Sequence, residues 1–139
     1  MKQIEFSGKK IFFERGLPGF EDLKHFTISR PFEEYPFFYL QSNDEEVVAF
    51  LTINPFEITK EYEFEISDAV QETLEITDLA DVAVINIVNA SNGLNEATVN
   101  LQAPVIINTK NQKGMQVVLN NQSLNLKEPL KNMLQGTEG

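Results

Sequence analysis

The sequence predicts a small, single-domain, mostly β fold, a barrel or a sandwich, with one short helix. Short apolar runs recur at close spacing, and turn-forming residues separate them. The chain has 139 residues, of which 42% are hydrophobic. This length suffices for one domain with a hydrophobic core but is short for two domains. We expect the β domain to span residues 1–130 and the polar residues 131–139 to form a flexible tail.

The first half of the chain contains four predicted strands. Residues 11–13 precede the segment 16–21, which begins Gly-Leu-Pro-Gly and favours a turn, since Gly supplies positive φ and Pro fixes its own φ. Residues 26–28 form a short strand. Residues 37–41 and 47–53 flank a polar stretch and predict a hairpin, which ends where Pro55 cannot continue the ladder.

A helix is expected after residue 66. Asp68 is a candidate N-cap, with Gln71 three residues later at capping-box spacing. Ile66, Val70 and Leu74 are four residues apart and would share one helical face. The apolar run 82–88 follows and suits a strand that is covered on both sides.

Residues 98–108 alternate apolar and polar positions, which is typical of a strand with one buried face. Pro104 interrupts this strand and has no N–H for the ladder. It therefore predicts an edge strand, a strand start or a bulge. Residues 115–119 follow a polar loop, and we expect the last two strands to form a second hairpin.

Acidic residues dominate the charge, with a formal net charge of −10. Residues 57–81 carry nine acids and one lysine, a local charge of −8. Residues 62–66 alternate as a strand would, which places Glu61, Glu63 and Glu65 together on one face. Such a surface repels phosphate backbones and attracts basic proteins, so a protein partner is favoured over nucleic acid. From charge alone, a solvated surface that only confers solubility is the favoured interpretation.

Sequence patterns typical of catalysis or metal binding are weak. The chain has no cysteine and a single histidine, His25, for which we expect a half-exposed structural role. No thiolate metal site can form, no phosphate-binding glycine loop is present, and no cofactor is predicted. The absence of an apolar run of membrane-spanning length and of a leader pattern at the start predicts a cytoplasmic protein that does not bind membranes.

Binding features are clearer. Asn54 is expected to cap backbone groups at a strand end. The interrupted strand carries Asn100 and Asn108, and a free edge there could accept a peptide. The aromatic run at 35–39 is mostly core by alternation, but one of its sides must face outward, and exposed aromatic residues anchor interfaces.

An ordered set of motifs resembles the flagellar assembly factor FliW family of bacteria. The set comprises Gly-Leu-Pro-Gly-Phe-Glu at 16–21, Leu-Gln-Ser at 40–42, Val-Ala-Phe-Leu-Thr-Ile-Asn-Pro at 48–55, Asn-Leu-Gln-Ala-Pro-Val-Ile-Ile-Asn at 100–108 and Gln-Val-Val-Leu at 116–119. These motifs follow the family's order and spacing over nearly the whole chain. The C-terminal end departs from it, since Leu124 and Lys127 stand where a Tyr and an Arg are expected.

The resemblance implies a small β-barrel-like fold, no enzymatic activity and two protein partners. Proteins similar to FliW bind the translational regulator CsrA and stop it from repressing flagellin mRNA. Flagellin that accumulates in the cytoplasm captures FliW and thereby releases CsrA. The circuit couples flagellin synthesis to export.

The residues suggest where each partner would bind. CsrA binds RNA and must carry basic surface, so the acidic residues are the candidate contact: Glu57, Glu61, Glu63, Glu65 and Glu72. The candidates for flagellin lie on the interrupted strand: Asn100, Gln102 and Asn108.

Two other functions are compatible with the sequence. An acidic β domain could act as an adaptor for another basic protein. A hydrolase could use a carboxylate pair, which requires a cleft flanked by two acids and at least one raised pKa.

Overall fold

The computed structural model describes residues 8–32 and 34–136, and within these ranges the chain forms nine strands and two short helices. The strands are β1 (Lys9–Phe12), β2 (His25–Ser29), β3 (Phe37–Ser42), β4 (Ala49–Ile53), β5 (Val82–Asn89), β6 (Thr98–Val99), β7 (Val105–Asn108), β8 (Lys113–Gln116) and β9 (Glu128–Pro129). The helices are α1 (Asp68–Thr73) and α2 (Leu130–Gly136).

Seven of the strands form a closed barrel in the order β1-β2-β3-β4-β5-β7-β8. Antiparallel pairing of β4 with β5 and a parallel pairing of β1 with β8 complete the ring. Strands β6 and β9 continue from the end of β5 as a small second sheet. Closure removes the free edges that an open sheet would expose. The predicted mostly β, barrel-like fold is confirmed.

Large apolar side chains fill the barrel. Phe13, Phe26 and Phe38 are fully buried, and the rings of Phe13 and Phe26 meet edge to face with centroids 5.3 Å apart. This geometry is favourable for aromatic pairs. The other members of the interior cluster are Ile11, Leu17, Ile28, Leu40, Ala83, Ile85, Val105 and Ile107.

Strand β5 is buried on both of its faces. Ala83 and Ile85 point into the barrel, whereas Val82 and Val84 point outward into a cluster beneath α1. The continuous apolar sequence of this strand follows from its two buried faces, as predicted.

Helix α1 has the predicted apolar face but a different cap. Val70 and Leu74 are buried and Ile66 is half-buried in the same cluster. The N-cap is Ser67, whose side chain accepts a hydrogen bond from the Val70 N–H at 3.2 Å. The predicted cap at Asp68 is therefore wrong by one residue, because the serine before it already satisfies the free N–H groups.

Helix α2 corrects the prediction of a single helix. It occupies the start of the segment expected to be a flexible tail, and residues 137–139 lie outside the described part of the chain. Leu130 and Met133 are three residues apart and buried against Ile53, Val88 and Val99 on the outside of the barrel. These tertiary contacts stabilise a helix too short to persist alone.

The interrupted strand divides at Pro104, as the sequence predicted, into β6 and β7. The expected free edge is wrong, because β7 pairs with β5 on one side and with β8 on the other. Pro104 immediately precedes β7, where its missing N–H costs no ladder bond. Both predicted hairpins, β3–β4 and β7–β8, are confirmed.

Gly114 on β8 provides a test of the barrel's internal packing. A Cβ atom at this position would lie 2.7 Å from Cε1 of Phe13 and 3.0 Å from Cγ2 of Ile11. We expect Gly114→Ala to lower the free energy of unfolding by about 1–3 kcal/mol, measured by urea denaturation, because the interior has no room for a methyl group.

The double variant Gly114→Ala/Phe13→Leu is the control. The smaller side chain at position 13 should relieve the contact, so the cost of the double change should be less than the sum of the two single costs. Additive costs would show that Gly114 and Phe13 do not share this space.

Candidate protein-interaction surface

The acidic segment, residues 57–81, runs along the outside of the barrel from the end of β4 to the start of β5 and includes α1. It carries the nine acids and the single lysine counted in the sequence. Its geometry decides which of these charges a partner could reach.

Residues 61–67 are not a strand, in contrast to the prediction, because no β-ladder pairs with them. The sidedness predicted from alternation is nevertheless present. Tyr62 is buried and Phe64 is half-buried, whereas Glu61, Glu63 and Glu65 are exposed. The alternating pattern therefore predicted correctly which side chains are buried. The segment is held by side-chain contacts and not by the backbone hydrogen bonds of a β-ladder.

Tyr62 is the main anchor of this segment. Its hydroxyl donates a hydrogen bond to the Leu101 carbonyl oxygen at 2.7 Å and accepts one from Nδ2 of Asn86 at 3.2 Å. Its ring lies between two other aromatic rings, with centroids 6.0 Å from Phe56 and 5.1 Å from Phe64. The phenol therefore fixes the backbone that carries the exposed glutamates.

Asn86 connects this anchor to the barrel wall. It lies on β5, is fully buried, and its Nδ2 also donates to the Asn100 carbonyl oxygen at 2.9 Å. Its Oδ1 has no hydrogen-bond partner within the described part of the chain. Sequence analysis did not single out Asn86, although a lone polar residue inside an apolar strand indicates a buried hydrogen-bonding role.

Burial raises the pKa of Tyr62 from 10.0 to about 12, and the hydrogen bond from Asn86 opposes this rise in part. The phenol thus stays protonated and continues to donate to Leu101 across the ordinary pH range.

Two of the acids are held by basic side chains. Glu57 accepts a hydrogen bond from Nη2 of Arg30 at 2.8 Å, and Glu75 lies 2.6 Å from Nζ of Lys113. Glu57 was predicted as a partner contact, but its carboxylate already has an intramolecular partner. Within residues 8–32 and 34–136, the structure contains no ion pair that involves the other four predicted contacts: Glu61, Glu63, Glu65 and Glu72.

Glu61, Glu63 and Glu65 share the exposed side of the extended segment, and Glu72 is exposed on α1. Glu63 and Glu65 border a shallow hollow together with Tyr62 and Phe64. We call Glu61, Glu63 and Glu65 the glutamate row.

Three exposed carboxyl groups have lowered pKa values. The pKa of Glu75 is lowered by its hydrogen bond to Lys113, and that of Asp44 by the backbone N–H groups of His25 and Lys24. The pKa of Glu21 is lowered by the Gly19 N–H. A general acid requires a shift in the opposite direction.

The three residues predicted to contact flagellin make internal hydrogen bonds. Oδ1 of Asn100 accepts from the Gln102 N–H at 3.0 Å, and Nε2 of Gln102 donates to the Leu124 carbonyl oxygen at 2.6 Å. Asn108 is only 3% exposed, and its Nδ2 donates to the Leu74 carbonyl oxygen at 2.9 Å. These side chains thus form hydrogen bonds to backbone groups of the protein itself. The free edge expected beside them is absent, because β7 is paired on both sides.

The predictions for Asn54 and for the aromatic run are confirmed, whereas His25 is more exposed than predicted. Oδ1 of Asn54 accepts from the Phe56 N–H at 3.0 Å and caps a short 3₁₀ turn. The His25 side chain is exposed, with Nδ1 3.4 Å from a carboxylate oxygen of Asp44. The aromatic run is divided as expected, since Phe38 is buried and Tyr35 and Tyr39 are exposed.

The described ranges contain neither a membrane-spanning helix nor a cluster of metal-binding side chains. No helix there is both long and apolar enough to cross a bilayer. The same residues contain no group of three or more histidine, aspartate or glutamate side chains placed to hold a metal ion.

Comparisons with known proteins agree on one family. A family model described as FliW protein matches residues 1–130. A flagellar assembly factor FliW from Caldicellulosiruptor saccharolyticus is 46% identical over 112 residues, which cover 81% of this chain and 73% of the relative. The flagellar assembly factor FliW of Bacillus subtilis strain 168 is 40% identical over 120 residues, covering 86% of this chain and 84% of the relative. A crystal structure of the flagellar assembly factor FliW matches with a TM-score of 0.79 and 34% identity, covering 94% of this chain and 89% of that one.

The raised pKa of Tyr62 predicts a loss of stability at alkaline pH. Unfolded chains ionise this phenol near its ordinary value of 10.0, whereas the folded protein ionises it at about 12. The contribution of Tyr62 to the free energy of unfolding is therefore constant below about pH 10 and falls as the pH rises towards 12.

Tyr62→Phe removes this titration. In urea denaturation at a series of pH values, the stability difference between the original protein and the variant should shrink above about pH 10. A difference that stays constant up to pH 12 would contradict the buried, hydrogen-bonded state of this phenol.

Proposed function

The chain belongs to the FliW family of flagellar assembly factors, and from this premise we propose that it is a non-enzymatic regulatory protein that binds and antagonises the translational regulator CsrA. In this proposal the protein acts in the cytoplasm and prevents CsrA from repressing flagellin synthesis. Flagellin that accumulates takes the protein away from CsrA and so couples flagellin translation to flagellar assembly.

The glutamate row is the observation that supports CsrA binding most directly. Glu61, Glu63 and Glu65 lie exposed on one side of an extended segment, and the buried ring of Tyr62 holds that segment in place. An RNA-binding regulator carries basic surface to meet phosphates, and an acidic surface attracts it electrostatically. Glu72 on α1 adds a further exposed charge.

The anchored backbone of the glutamate row favours binding over simple solvation. Charges on a segment held by side-chain hydrogen bonds lose little conformational freedom when a partner pairs with them. We therefore place the CsrA contact on the glutamate row with Glu72, and leave out Glu57 because Arg30 already holds its carboxylate.

Charge removal at Glu63 and Glu65 tests this proposal. Glu63→Gln/Glu65→Gln should weaken CsrA binding by about 2- to 30-fold, because two exposed ion pairs at about 0.2–1 kcal/mol each together contribute about 0.4–2 kcal/mol. The dependence of the dissociation constant on salt should become shallower in the same variant. Fluorescence anisotropy with labelled CsrA over a range of salt concentrations measures both quantities.

The matched control is Glu45→Gln/Glu46→Gln. These exposed glutamates lie in the turn between β3 and β4, and their replacement changes the net charge by the same amount. CsrA affinity should be almost unchanged. Equal weakening in the two double variants would show that only overall charge matters, and no weakening in either would reject the glutamate row as the contact.

A further inference from the structure

An apolar groove lies on the outside of β3 and β4, beside the loop that precedes β3. Its volume is about 410 Å³. The side chains that line it include Phe32, Tyr35, Phe37, Tyr39, Leu51 and Leu94, and we call it the aromatic groove. Phe32 is 61% exposed, Tyr35 57%, Leu94 58% and Tyr39 45%. A contiguous apolar surface of this kind is typical of an interaction site.

The barrel leaves this surface uncovered. Helix α1 covers the outer residues of β5 and β7, and α2 covers the outer end of β4, β5 and β6. Tyr39 lies directly opposite Leu51 in the β3–β4 ladder. Leu51 packs in part against the cluster that contains Leu130 and Met133 of α2, whereas Tyr39 is 45% exposed and belongs to neither helix-covered cluster.

Arg30 positions Tyr35 at the wall of the groove. Its Nε donates to the Tyr35 carbonyl oxygen at 3.2 Å, and its guanidinium carbon lies 5.0 Å from the centroid of the Phe38 ring. The rings of Phe32 and Tyr35 meet edge to face with centroids 6.2 Å apart. Because these contacts hold Tyr35 before a ligand arrives, the protein loses less conformational entropy at this residue on binding.

Two exposed acidic residues lie within two positions of groove-lining residues in the sequence, and we call them the acidic rim. Glu34 lies between Phe32 and Tyr35 in the loop, Glu96 lies two residues after Leu94, and both are exposed. The nearby guanidinium of Arg30 is engaged by Glu57 at 2.8 Å. An apolar floor with an acidic rim complements a ligand whose apolar side chains are flanked by lysine or arginine.

We propose that the aromatic groove binds a short segment of a partner protein in which apolar side chains are flanked by basic residues. The apolar side chains fill the space between Tyr39, Leu51 and Leu94, and the basic residues meet Glu34 and Glu96. The groove is a second interaction surface in addition to the glutamate row, and its ability to bind such a segment does not depend on CsrA being the partner.

Binding of a labelled nine-residue peptide, Lys-Lys-Leu-Phe-Lys-Leu-Leu-Lys-Lys, followed by fluorescence anisotropy, tests this inference. Two comparison peptides replace either every lysine by glutamate or every apolar residue by serine. We expect the basic apolar peptide to bind at least tenfold more tightly than either comparison peptide, because the groove requires both features.

Variants locate the binding. Phe32→Ser and Tyr39→Ser should each lower the affinity for the basic apolar peptide by about tenfold, as expected for an aromatic anchor of an interface. Leu126→Ser is the matched control, since Leu126 is similarly exposed at 56% and does not line the groove, and it should leave the affinity unchanged. Because Phe32 is an exposed loop residue, its replacement should not affect folding. Thermal unfolding followed by circular dichroism checks that each variant is folded.

Three outcomes would overturn the inference. Equal affinity for the basic and acidic apolar peptides would remove the role of the rim. Affinity that falls in Glu63→Gln/Glu65→Gln but not in Phe32→Ser or Tyr39→Ser would place the peptide on the glutamate row. Concentration-dependent dimerisation in sedimentation, abolished by Tyr39→Ser, would identify a second copy of this chain as the occupant.

Discussion

Closure of the barrel between β4 and β5 is the constraint on which the rest of the structure depends. Ile53 pairs with Asn86 and Thr52 with Ile87, and the buried hydroxyl of Thr52 donates to the Phe38 carbonyl oxygen at 3.0 Å. Without this short antiparallel contact the sheet would be open between its two halves, and the interior phenylalanines would lose one wall.

The same closure positions the surface with the proposed function. Asn86 lies in the closing pair, and its amide reaches outward to the hydroxyl of Tyr62, which in turn bonds to Leu101. The exposed glutamates on either side of Tyr62 are thus fixed relative to the barrel wall through two buried polar side chains. Arg30 has a comparable role at the aromatic groove, since it joins the loop before β3 to Glu57 at the start of the acidic segment.

In the acidic segment the sequence predicted burial correctly and strand pairing wrongly. Alternation at residues 62–66 correctly separated buried from exposed side chains, but it carries no information on whether a neighbouring strand is present, and none pairs there. Pro104 correctly marked a break, yet a proline at the start of an interior strand satisfies the same rule as one on an edge. Helix α2 depends on contacts of Leu130 and Met133 with distant residues, which local propensity does not report. The partner of Glu57 was likewise unpredictable, because Arg30 is 27 residues away in the chain.

In the function that we propose, this chain binds CsrA directly and releases it when flagellin binds. Isothermal titration of CsrA into the protein, first alone and then after addition of equimolar flagellin, measures this most directly. We predict saturable binding of CsrA whose affinity falls as the salt concentration is raised. The heat of binding should disappear when flagellin is present. Absence of CsrA binding, or binding that flagellin leaves unchanged, would contradict it.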